Sequence, residues 1–394
     1  MRRAAIIVLD GVGIGPAPDT ARYGDAGSDT LGNVARAVGG LRLPNLERLG
    51  LGRCRPVPGI PGLSARVDVA PGVTAACGVA LPSSPGKDST TGHWEICGLL
   101  LERPFPTYPN GFPEELLAEF ARRTGRGVIG NVAASGTAII AELGATHQAT
   151  GQWIVYTSAD SVFQIAAHEE TVPLAELYRG CDIARGLLVG DHLVSRVIAR
   201  PFTGPPGAYQ RTANRRDFSV PPVGPTLLDR LAEAGLQRVG IGKVDDLFAG
   251  RSITSRHTPT NAAAYRLLED ALERLDSGFV FANVIEFDQT WGHRNDVPGF
   301  HKGLRELDAW LPRLLERLQG EDLIIVTADH GNDPTTPSTD HSREAVPLLA
   351  FGPRVRPASL GERPTFADMG ATVAEYFDVA PLAAGDSFLR EIWA

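Results

Sequence analysis

The sequence contains no run of about 18 apolar residues, so it predicts no membrane-spanning helix. Its most apolar stretch near the start, AAIIVLD at residues 4–10, is too short for a bilayer, and no small-residue cleavage site follows it. A buried strand fits this stretch better than a signal peptide does. We therefore expect a cytoplasmic protein that does not associate with membranes.

Basic residues are scarce: 38 Lys and Arg stand against 46 Asp and Glu, which gives a formal charge of −8. This balance argues against nucleic-acid binding, which needs a basic face, but it leaves room for a small anionic substrate held by local arginines. No obligate protein partner is evident. Cysteine pairs of the C-x-x-C type are also missing, which disfavours a zinc knuckle, and reduced, buried thiols are expected. The cysteines are Cys54, Cys77, Cys97 and Cys181.

The apolar runs that are present predict an α/β fold. A length of 394 residues favours two domains. Three runs are continuous rather than alternating, as in strands of a parallel sheet with helices on both faces, and RVGIGKV at 238–244 resembles a fourth. Amphipathic helical patterns lie between them, with an Asn cap expected at residue 261. The strands are predicted at 4–10, 279–288 and 322–329, and the helices at 226–234, 261–275 and 304–318.

The middle of the chain differs from both ends. It has its own helical pattern at 113–124, a strand pattern at 153–157 and loops rich in Pro and Gly. Proline-rich segments, PFPTYPNGFP and SVPPVGP, flank it and suggest domain boundaries. We interpret 103–220 as a smaller α+β cap domain inserted into a core formed by 1–102 and 221–394.

Carboxylates follow three of the predicted strands. Asp10, Asp288 and Asp329 stand where the strands end, and the carboxyl ends of parallel strands share one edge of a sheet. Asp and His together suit a transition metal such as manganese, zinc or iron. Six candidate ligands exceed what one ion needs, so the set indicates two metals that share an active site for phosphoryl transfer. The histidines that accompany the carboxylates are His293, His330 and His341.

The segment GKDSTTGHWE at 86–95 is the second dense polar cluster. Its hydroxyl residues stand beside a lysine and between glycines, which let backbone N–H groups approach an anion. A hydroxyl that ligates a metal becomes a better nucleophile, so Ser89 and Thr90 are candidates. The structural alternative is a polar loop in which Ser89 or Thr90 caps a helix.

Several segments together resemble the phosphopentomutases of the alkaline phosphatase superfamily. TADHGNDP at 327–334 is typical of the superfamily, which includes other mutases, phosphatases and sulfatases. GKDSTTGHWE and YTSADSVFQIAAHEE are much more specific to the pentomutases. The similarity runs from the first strand to the last helix, and the other matching segments are LDGVGIGPAPD, GSDTLGN, VIARPF, TDHSREAVPLLA and TFADMGATVAE.

This resemblance implies an alkaline phosphatase-like core, two Mn²⁺ ions and transfer of phosphate between C1 and C5 of ribose or deoxyribose. It implies one ion on Asp10, Asp329, His330 and the nucleophile, and a second on Asp288, His293 and His341. The nucleophile corresponds to Ser89, where the family often has Thr, and Thr90 remains the alternative. A sugar 1,5-bisphosphate is implied as activator. The substrate-binding positions implied are Ser158, Asp160, Val162, Arg196, Arg211 and Lys243, with Arg200 as a further candidate.

Other readings fit less well. GVGIG at 11–15 lacks the spacing and the following helix of a dinucleotide fingerprint, and Gly86-Lys87 lacks the spacing of a P-loop. HEE at 168–170 has no second histidine in place for a zinc protease, so His168 is expected to be part of the packing or the polar network of the inserted domain. A sugar-phosphate binding protein that has lost its activity would keep the metal ligands but lack a usable hydroxyl, whereas Ser89 and Thr90 are both present. Among enzymes, the nearest rival is a metal-dependent phosphatase or another mutase on the same core.

Overall fold

The computed structural model describes residues 2–62, 69–158 and 160–394. The chain divides into two compact units. We call Met1–Arg103 together with Pro222–Ala394 the core unit, and Pro104–Pro221 the inserted unit. These bounds lie one residue away from the boundaries expected from the proline-rich segments.

The strands of both units are numbered in chain order. They are β1 (Arg3–Leu9), β2 (Thr74–Ala80), β3 (Val128–Ala133), β4 (Trp153–Thr157), β5 (Val162–His168), β6 (Arg196–Thr203), β7 (Gln210–Arg211), β8 (Arg216–Ser219), β9 (Gln237–Ile241), β10 (Ser255–Arg256), β11 (Gly278–Val284), β12 (Leu323–Thr327), β13 (Val346–Gly352) and β14 (Ala358–Arg363).

The α-helices are numbered in the same way. They are α1 (Thr30–Ala37), α2 (Pro44–Leu49), α3 (Leu51–Cys54), α4 (Ser89–Ile96), α5 (Glu114–Thr124), α6 (Gly136–Thr150), α7 (Leu174–Leu187), α8 (Leu227–Glu233), α9 (Val244–Leu247), α10 (Asn261–Arg274), α11 (Val297–Leu315), α12 (Ala367–Tyr376) and α13 (Leu389–Ile392). A π-helical turn spans Phe287–Trp291, and short 3₁₀ turns lie at Thr20–Tyr23, Gly190–His192 and Gly292–Arg294.

The core unit is built on an eight-stranded sheet, counted over the described residues, in the order β10-β9-β11-β1-β12-β13-β2-β14. Strands β10, β9, β11, β1 and β12 run parallel, and β13 is antiparallel to both of its neighbours. Four strands are buried along their whole length, namely β1, β11, β12 and β13. Their continuous apolar sequences are typical of strands that are covered on both faces of the sheet. The predicted α/β fold with a mainly parallel sheet is confirmed.

Strand β1 lies at the centre of the arrangement that positions the site. It pairs with β11 on one side and β12 on the other, with Val8 opposite both Asn283 and Thr327. This register brings the carboxyl ends of the three strands together at one edge of the sheet. The segments that follow them therefore meet there.

Some element bounds differ from those predicted. β11 ends at Val284, four residues before Asp288, because the chain turns into the π-helical segment Phe287–Trp291. α10 is capped by Thr260, whose side chain accepts from Ala263 N, and not by Asn261 as expected. α11 begins at Val297, seven residues earlier than predicted, after an Asp296 cap.

The inserted unit has a mixed sheet in the order β3-β4-β5-β6-β7, with β8 also paired to β6. One face packs against α5 and α7 through a cluster that includes Phe120, Trp153 and Phe163. The other face packs against α6 through Ile140 and Phe202 among others. The sequence indicated one helix and one strand here, so most of this unit was not predicted element by element.

Two smaller expectations concern histidine and cysteine. His168 ends β5, and its backbone N–H donates to His147 Nε2 at 2.9 Å, so it does serve the internal polar network. The four cysteines are free; three are buried and Cys54 is half-buried.

Across the part of the chain that the structure describes, no helix combines the length and the apolar character needed to cross a bilayer.

Candidate metal centre and nucleophile

Three buried aspartates meet at the carboxyl edge of the core sheet. Asp10 directly follows β1, and Asp329 stands two residues after β12, its parallel neighbour. Asp288 reaches the same place from the π-helical turn Phe287–Trp291 rather than from a strand end. All three are at most 3% exposed.

The first cluster contains Asp10, Asp329 and His330, whose potential ligand atoms all lie within 4.8 Å of one another. His330 Nε2 is 3.4 Å from Asp10 Oδ1 and 3.4 Å from Asp329 Oδ2. The backbone N–H of Gly11 donates to Asp329 Oδ1 at 3.2 Å, which fixes the carboxylate. This is the grouping that the resemblance implied.

The second cluster contains Asp288, His330 and His341 within the same 4.8 Å limit. His341 Nε2 is 3.2 Å from Asp288 Oδ1. His293, expected in this group, has its Nε2 3.3 Å from Asp288 Oδ2, but its side chain is 38% exposed. His330 therefore lies between the two clusters, and its ring centroid is 4.0 Å from that of His341.

The donor atoms at the centre are poorly satisfied by the protein itself. Both carboxylate oxygens of Asp10, Oδ2 of Asp329 and Nε2 of His341 are buried, and none makes a hydrogen bond to the described residues. Each of these atoms lies within 3.4 Å of a charged or titratable side chain of the same site. Buried polar atoms are normally paired, so a set of orphaned oxygen and imidazole donors fits the binding of divalent cations.

The charges of the clusters shift one another's pKa values. Burial lowers the pKa of His330, but Asp329 and Asp10 outweigh this and raise it to about 10. Burial acts likewise on His293, and Asp288 raises its pKa to about 9. Burial raises the pKa of Asp288, but His341 and His293 bring it well below its usual range. A cation that binds here therefore competes with protons on the histidines.

Lys243 belongs to the core unit and stands beside the first cluster. Its Nζ is 2.8 Å from Asp10 Oδ2. Burial would lower the pKa of Lys243, but Asp10 and Asp288 raise it, so the side chain carries a positive charge. The resemblance implied a phosphate-binding lysine, and the structure adds that this lysine pairs with a candidate metal ligand.

Ser89 is the first residue of α4, after Asp88, whose carboxylate accepts a hydrogen bond from Thr91 N at 3.0 Å. The structural alternative, in which Ser89 or Thr90 caps this helix, does not hold, because the Asp88 side chain takes that role. Ser89 Oγ lies 3.2 Å from His330 Nε2, so the hydroxyl points to the two clusters. Thr90 is buried on the same helix.

The remaining predicted site residues lie in the inserted unit. Val162 and Arg196 are opposite each other on β5 and β6. Arg196 is 3.5 Å from both Asp160 Oδ2 and Asp217 Oδ2, and Arg200 Nε donates to Gln164 Oε1 at 3.1 Å. Arg211 is exposed on β7, and Ser158 is half-buried after β4. This unit therefore presents several arginines on one face of its sheet.

Comparison with known proteins places the chain in a family. The Metalloenzyme superfamily matches residues 2–381. Phosphopentomutase of Dictyoglomus turgidum is 55% identical over 100% of this chain and 98% of its own length. Phosphopentomutase of Carboxydothermus hydrogenoformans is 54% identical over the full length of both chains. The chain belongs to the phosphopentomutase family. The prediction of an enzyme of this isomerase type is confirmed, and the superfamily implies divalent metals.

Two further polar residues of the site, Asn332 and His93, were not predicted from the sequence. Asn332 Nδ2 donates to Asp288 Oδ1 at 2.7 Å, and His93 Nδ1 lies 3.1 Å from Asp329 Oδ2. Both stand inside segments that carried the resemblance, TADHGNDP and GKDSTTGHWE. Their position in these polar segments was the only available signal.

Glu344 is a further buried carboxylate that was missed. Its Oε1 accepts from Thr30 Oγ1 and Ser342 Oγ, both at 2.7 Å, and its Oε2 accepts from Thr30 N at 2.9 Å and Gly15 N at 3.1 Å. Burial raises its pKa to about 7 despite these donors. Glu344 thereby joins the loop after β1 to the segment before β13, three residues after His341 of the second cluster.

Proposed function

We propose that the chain interconverts ribose 1-phosphate and ribose 5-phosphate, and the 2-deoxyribose equivalents, through a phosphoenzyme on Ser89. The observation that carries this proposal is the position of Ser89 Oγ, 3.2 Å from His330 Nε2 at the junction of two Asp–His clusters. Relatives of the same length that carry the name phosphopentomutase support it. The assignment to the cytoplasm stays a prediction.

Two Mn²⁺ ions are the cofactors that we propose for these clusters. Asp10, Asp329, His330 and the Ser89 hydroxyl would hold one, and Asp288, His293 and His341 would hold the other. Carboxylate and imidazole donors that lack hydrogen-bond partners suit this ion. When bound, such ions supply positive charge at the attacking and leaving oxygens and favour loss of the Ser89 hydroxyl proton.

The phosphoryl group is carried on Ser89 in the resting enzyme of this proposal. It passes to the free hydroxyl of the sugar phosphate, so the Ser89 Oγ–P bond breaks, a sugar O–P bond forms, and the sugar's hydroxyl proton ends on Ser89. The product is a 1,5-bisphosphate. After reorientation, its other phosphoryl group returns to Ser89. A trace of such a bisphosphate would therefore activate dephosphorylated enzyme.

Residues of the inserted unit supply substrate recognition in this proposal. Arg196 and Arg211 would bind the phosphate that is not reacting, because guanidinium groups donate to phosphate in parallel pairs. Ser158, Asp160 and Val162 would contact the sugar phosphate. Lys243 would add a cation beside the reacting phosphate, since its Nζ already lies at the first cluster.

The deciding experiment follows conversion of ribose 1-phosphate to ribose 5-phosphate with Mn²⁺ and a trace of sugar 1,5-bisphosphate, while inorganic phosphate is measured in parallel. We expect isomerisation without phosphate release. Phosphate release without isomerisation would identify a phosphatase on the same core and overturn the proposed role of the inserted unit.

Metal removal tests the cofactor assignment separately. We expect a chelator to abolish isomerisation and Mn²⁺ to restore it, with two ions per chain bound at saturation in a titration. Binding should release protons at pH 7, because the histidines of the clusters have raised pKa values. One ion per chain at saturation would contradict the division into two ligand groups.

A further inference from the structure

A buried histidine that the mechanism does not use connects the nucleophile's helix to a candidate metal ligand. His93 is fully buried and stands one turn after Ser89 on α4. Its Nδ1 lies 2.9 Å from the backbone oxygen of Ser89 and 3.1 Å from Asp329 Oδ2. Its Nε2 lies 3.2 Å from Asn283 Nδ2. The ring therefore touches both the helix that carries the hydroxyl and the carboxylate of the first cluster.

The neighbours of the ring determine its tautomer. A backbone carbonyl oxygen can only accept a hydrogen bond, so Nδ1 carries the proton and donates it to the Ser89 oxygen, while Asp329 Oδ2 faces the same N–H group at 3.1 Å without forming a hydrogen bond. Nε2 then accepts from the amide nitrogen of Asn283, which is buried on β11. Asn283 thus holds the Nδ1–H form in place, because the hydrogen bond to one ring nitrogen of a histidine sets which nitrogen carries the proton.

Close packing leaves this contact little freedom. A Cβ atom on Gly92 would stand 2.3 Å from the backbone oxygen of Asp329 and 2.8 Å from its Cβ, so only glycine lets α4 approach so closely. The other oxygen of Asp329 accepts from Gly11 N. Gly11 N therefore fixes one oxygen of the Asp329 carboxylate, and α4 packs closely enough to place His93 Nδ1 3.1 Å from the other oxygen.

We propose that His93 is a positioning residue that fixes Asp329 Oδ2 and the first turn of α4 together, with Asn283 setting its tautomer. This inference rests on the proposed function, in which Asp329 ligates a metal and Ser89 carries the phosphate. His93 itself touches neither substrate nor metal in this scheme. It keeps Ser89 and Asp329 at a fixed distance from each other, so that the donor atoms are already arranged when a cation binds.

The test compares Mn²⁺ binding to chelator-treated protein, measured by the electron paramagnetic resonance signal of free Mn²⁺, in three variants. His93→Phe keeps a ring but removes the donor, whereas His93→Asn can still present an N–H near the position of Nδ1. We expect His93→Phe to weaken one of the two sites about 10–100-fold. His93→Asn should recover most of this loss, and the KM for ribose 5-phosphate should stay within about twofold in both.

Asn283→Leu is the third variant, since it acts on the ring from the side away from Asp329 and remains informative if His93→Phe fails to fold. We expect a smaller loss of Mn²⁺ affinity and a change in the ¹⁵N chemical shifts of the His93 ring, recorded with labelled histidine in the full chain. Equal losses in His93→Phe and His93→Asn, or unchanged affinity in folded His93→Phe, would overturn the proposal. Because binding is measured without turnover, a failure to isomerise sugar phosphates would not be mistaken for a failure of this inference.

Discussion

The two units of the chain hold their polar residues in opposite ways. In the core unit, Asp10, Asp329 and His330 are at most 3% exposed and contact one another directly. In the inserted unit, the side chains of Asp160 and Arg196 are 48% and 33% exposed and lie 3.5 Å apart. One group is built into the interior, and the other is open to solvent.

Under the proposed function, this difference separates the residues that carry out the chemistry from those that recognise the substrate. Buried charges interact strongly because water does not screen them, so the core site is costly to assemble and must be held rigidly by its fold. Exposed ion pairs contribute little to stability, and an arginine in such a pair can exchange its carboxylate for a phosphate at small cost. We therefore expect changes in the core site to abolish the reaction and changes in the inserted unit to alter which substrate is used.

The largest effect is expected from Ser89→Ala. Loss of the hydroxyl should lower isomerisation by at least about 10³-fold, because no phosphoenzyme can form. Phosphate incorporation, followed by mass spectrometry of the peptide that contains 86–95, should disappear. Thr90→Ala is the matched control and should keep activity within about tenfold. Phosphate found on Thr90 would identify Thr90 as the nucleophile and contradict the role proposed for the Ser89 hydroxyl beside His330.

An intermediate effect is expected from Asp160→Ala. Loss of a hydrogen bond from the substrate costs about 1.5–3 kcal/mol, which corresponds to a fall of roughly 10–150-fold in kcat/KM for ribose 5-phosphate. Hydrolysis of a simple aryl phosphate should fall much less. Asp182→Ala, on the exposed side of α7, is the control and should change neither rate. Equal losses for both substrates would mean that the inserted unit does not select the sugar.

The smallest effect concerns histidine and pH in metal-free protein. His147, in the inserted unit, has a pKa lowered by burial, so its contribution to stability is present above pH 6.5 and is lost as the pH falls. His330 and His293 have pKa values raised to about 10 and 9, so their contribution is fully present below pH 6.5 and is lost as the pH rises from there through those values. Acid should therefore weaken the inserted unit first.

Hydrogen exchange of the whole chelator-treated chain at pH 7.5 and 5.5 measures this difference. After correction for intrinsic rates, protection should fall in Trp153–Thr157 and Val162–His168 while Arg3–Leu9 stays protected. His147→Gln should reduce the acid sensitivity of the inserted unit. If that variant loses protection as steeply as the original chain, the protonation of His147 is not the cause.

The contrast also explains what the sequence could and could not predict. Asp10 and Asp329 were found because continuous apolar strands end beside them, and strand ends converge by the geometry of a parallel sheet. Asp288 was found for a partly wrong reason, since β11 ends four residues earlier and a π-helical turn delivers the side chain. The position of His330 between both clusters could not be predicted, because it depends on side-chain packing between loops.

The inserted unit was harder to predict. The substrate-binding residues proposed for it were implied by resemblance, because exposed polar side chains on a mixed sheet follow no periodicity that marks them. His93 and Glu344 were missed for another reason: each acts through neighbours that are far apart in sequence. A contact such as Glu344 with Thr30 spans more than 300 residues and becomes visible only in the folded chain.

A backbone hydrogen bond joins two segments of the core unit, one before the insertion and one after it. The backbone N–H of Leu227, at the start of α8, donates to the carbonyl oxygen of Cys97 at the end of α4, at 2.8 Å. The chain thus leaves and re-enters the core at neighbouring points, so a compact module between them adds little loop-closure entropy. We expect this junction to be a graft point, at which the inserted unit can be exchanged without disturbing the Asp–His clusters of the core unit.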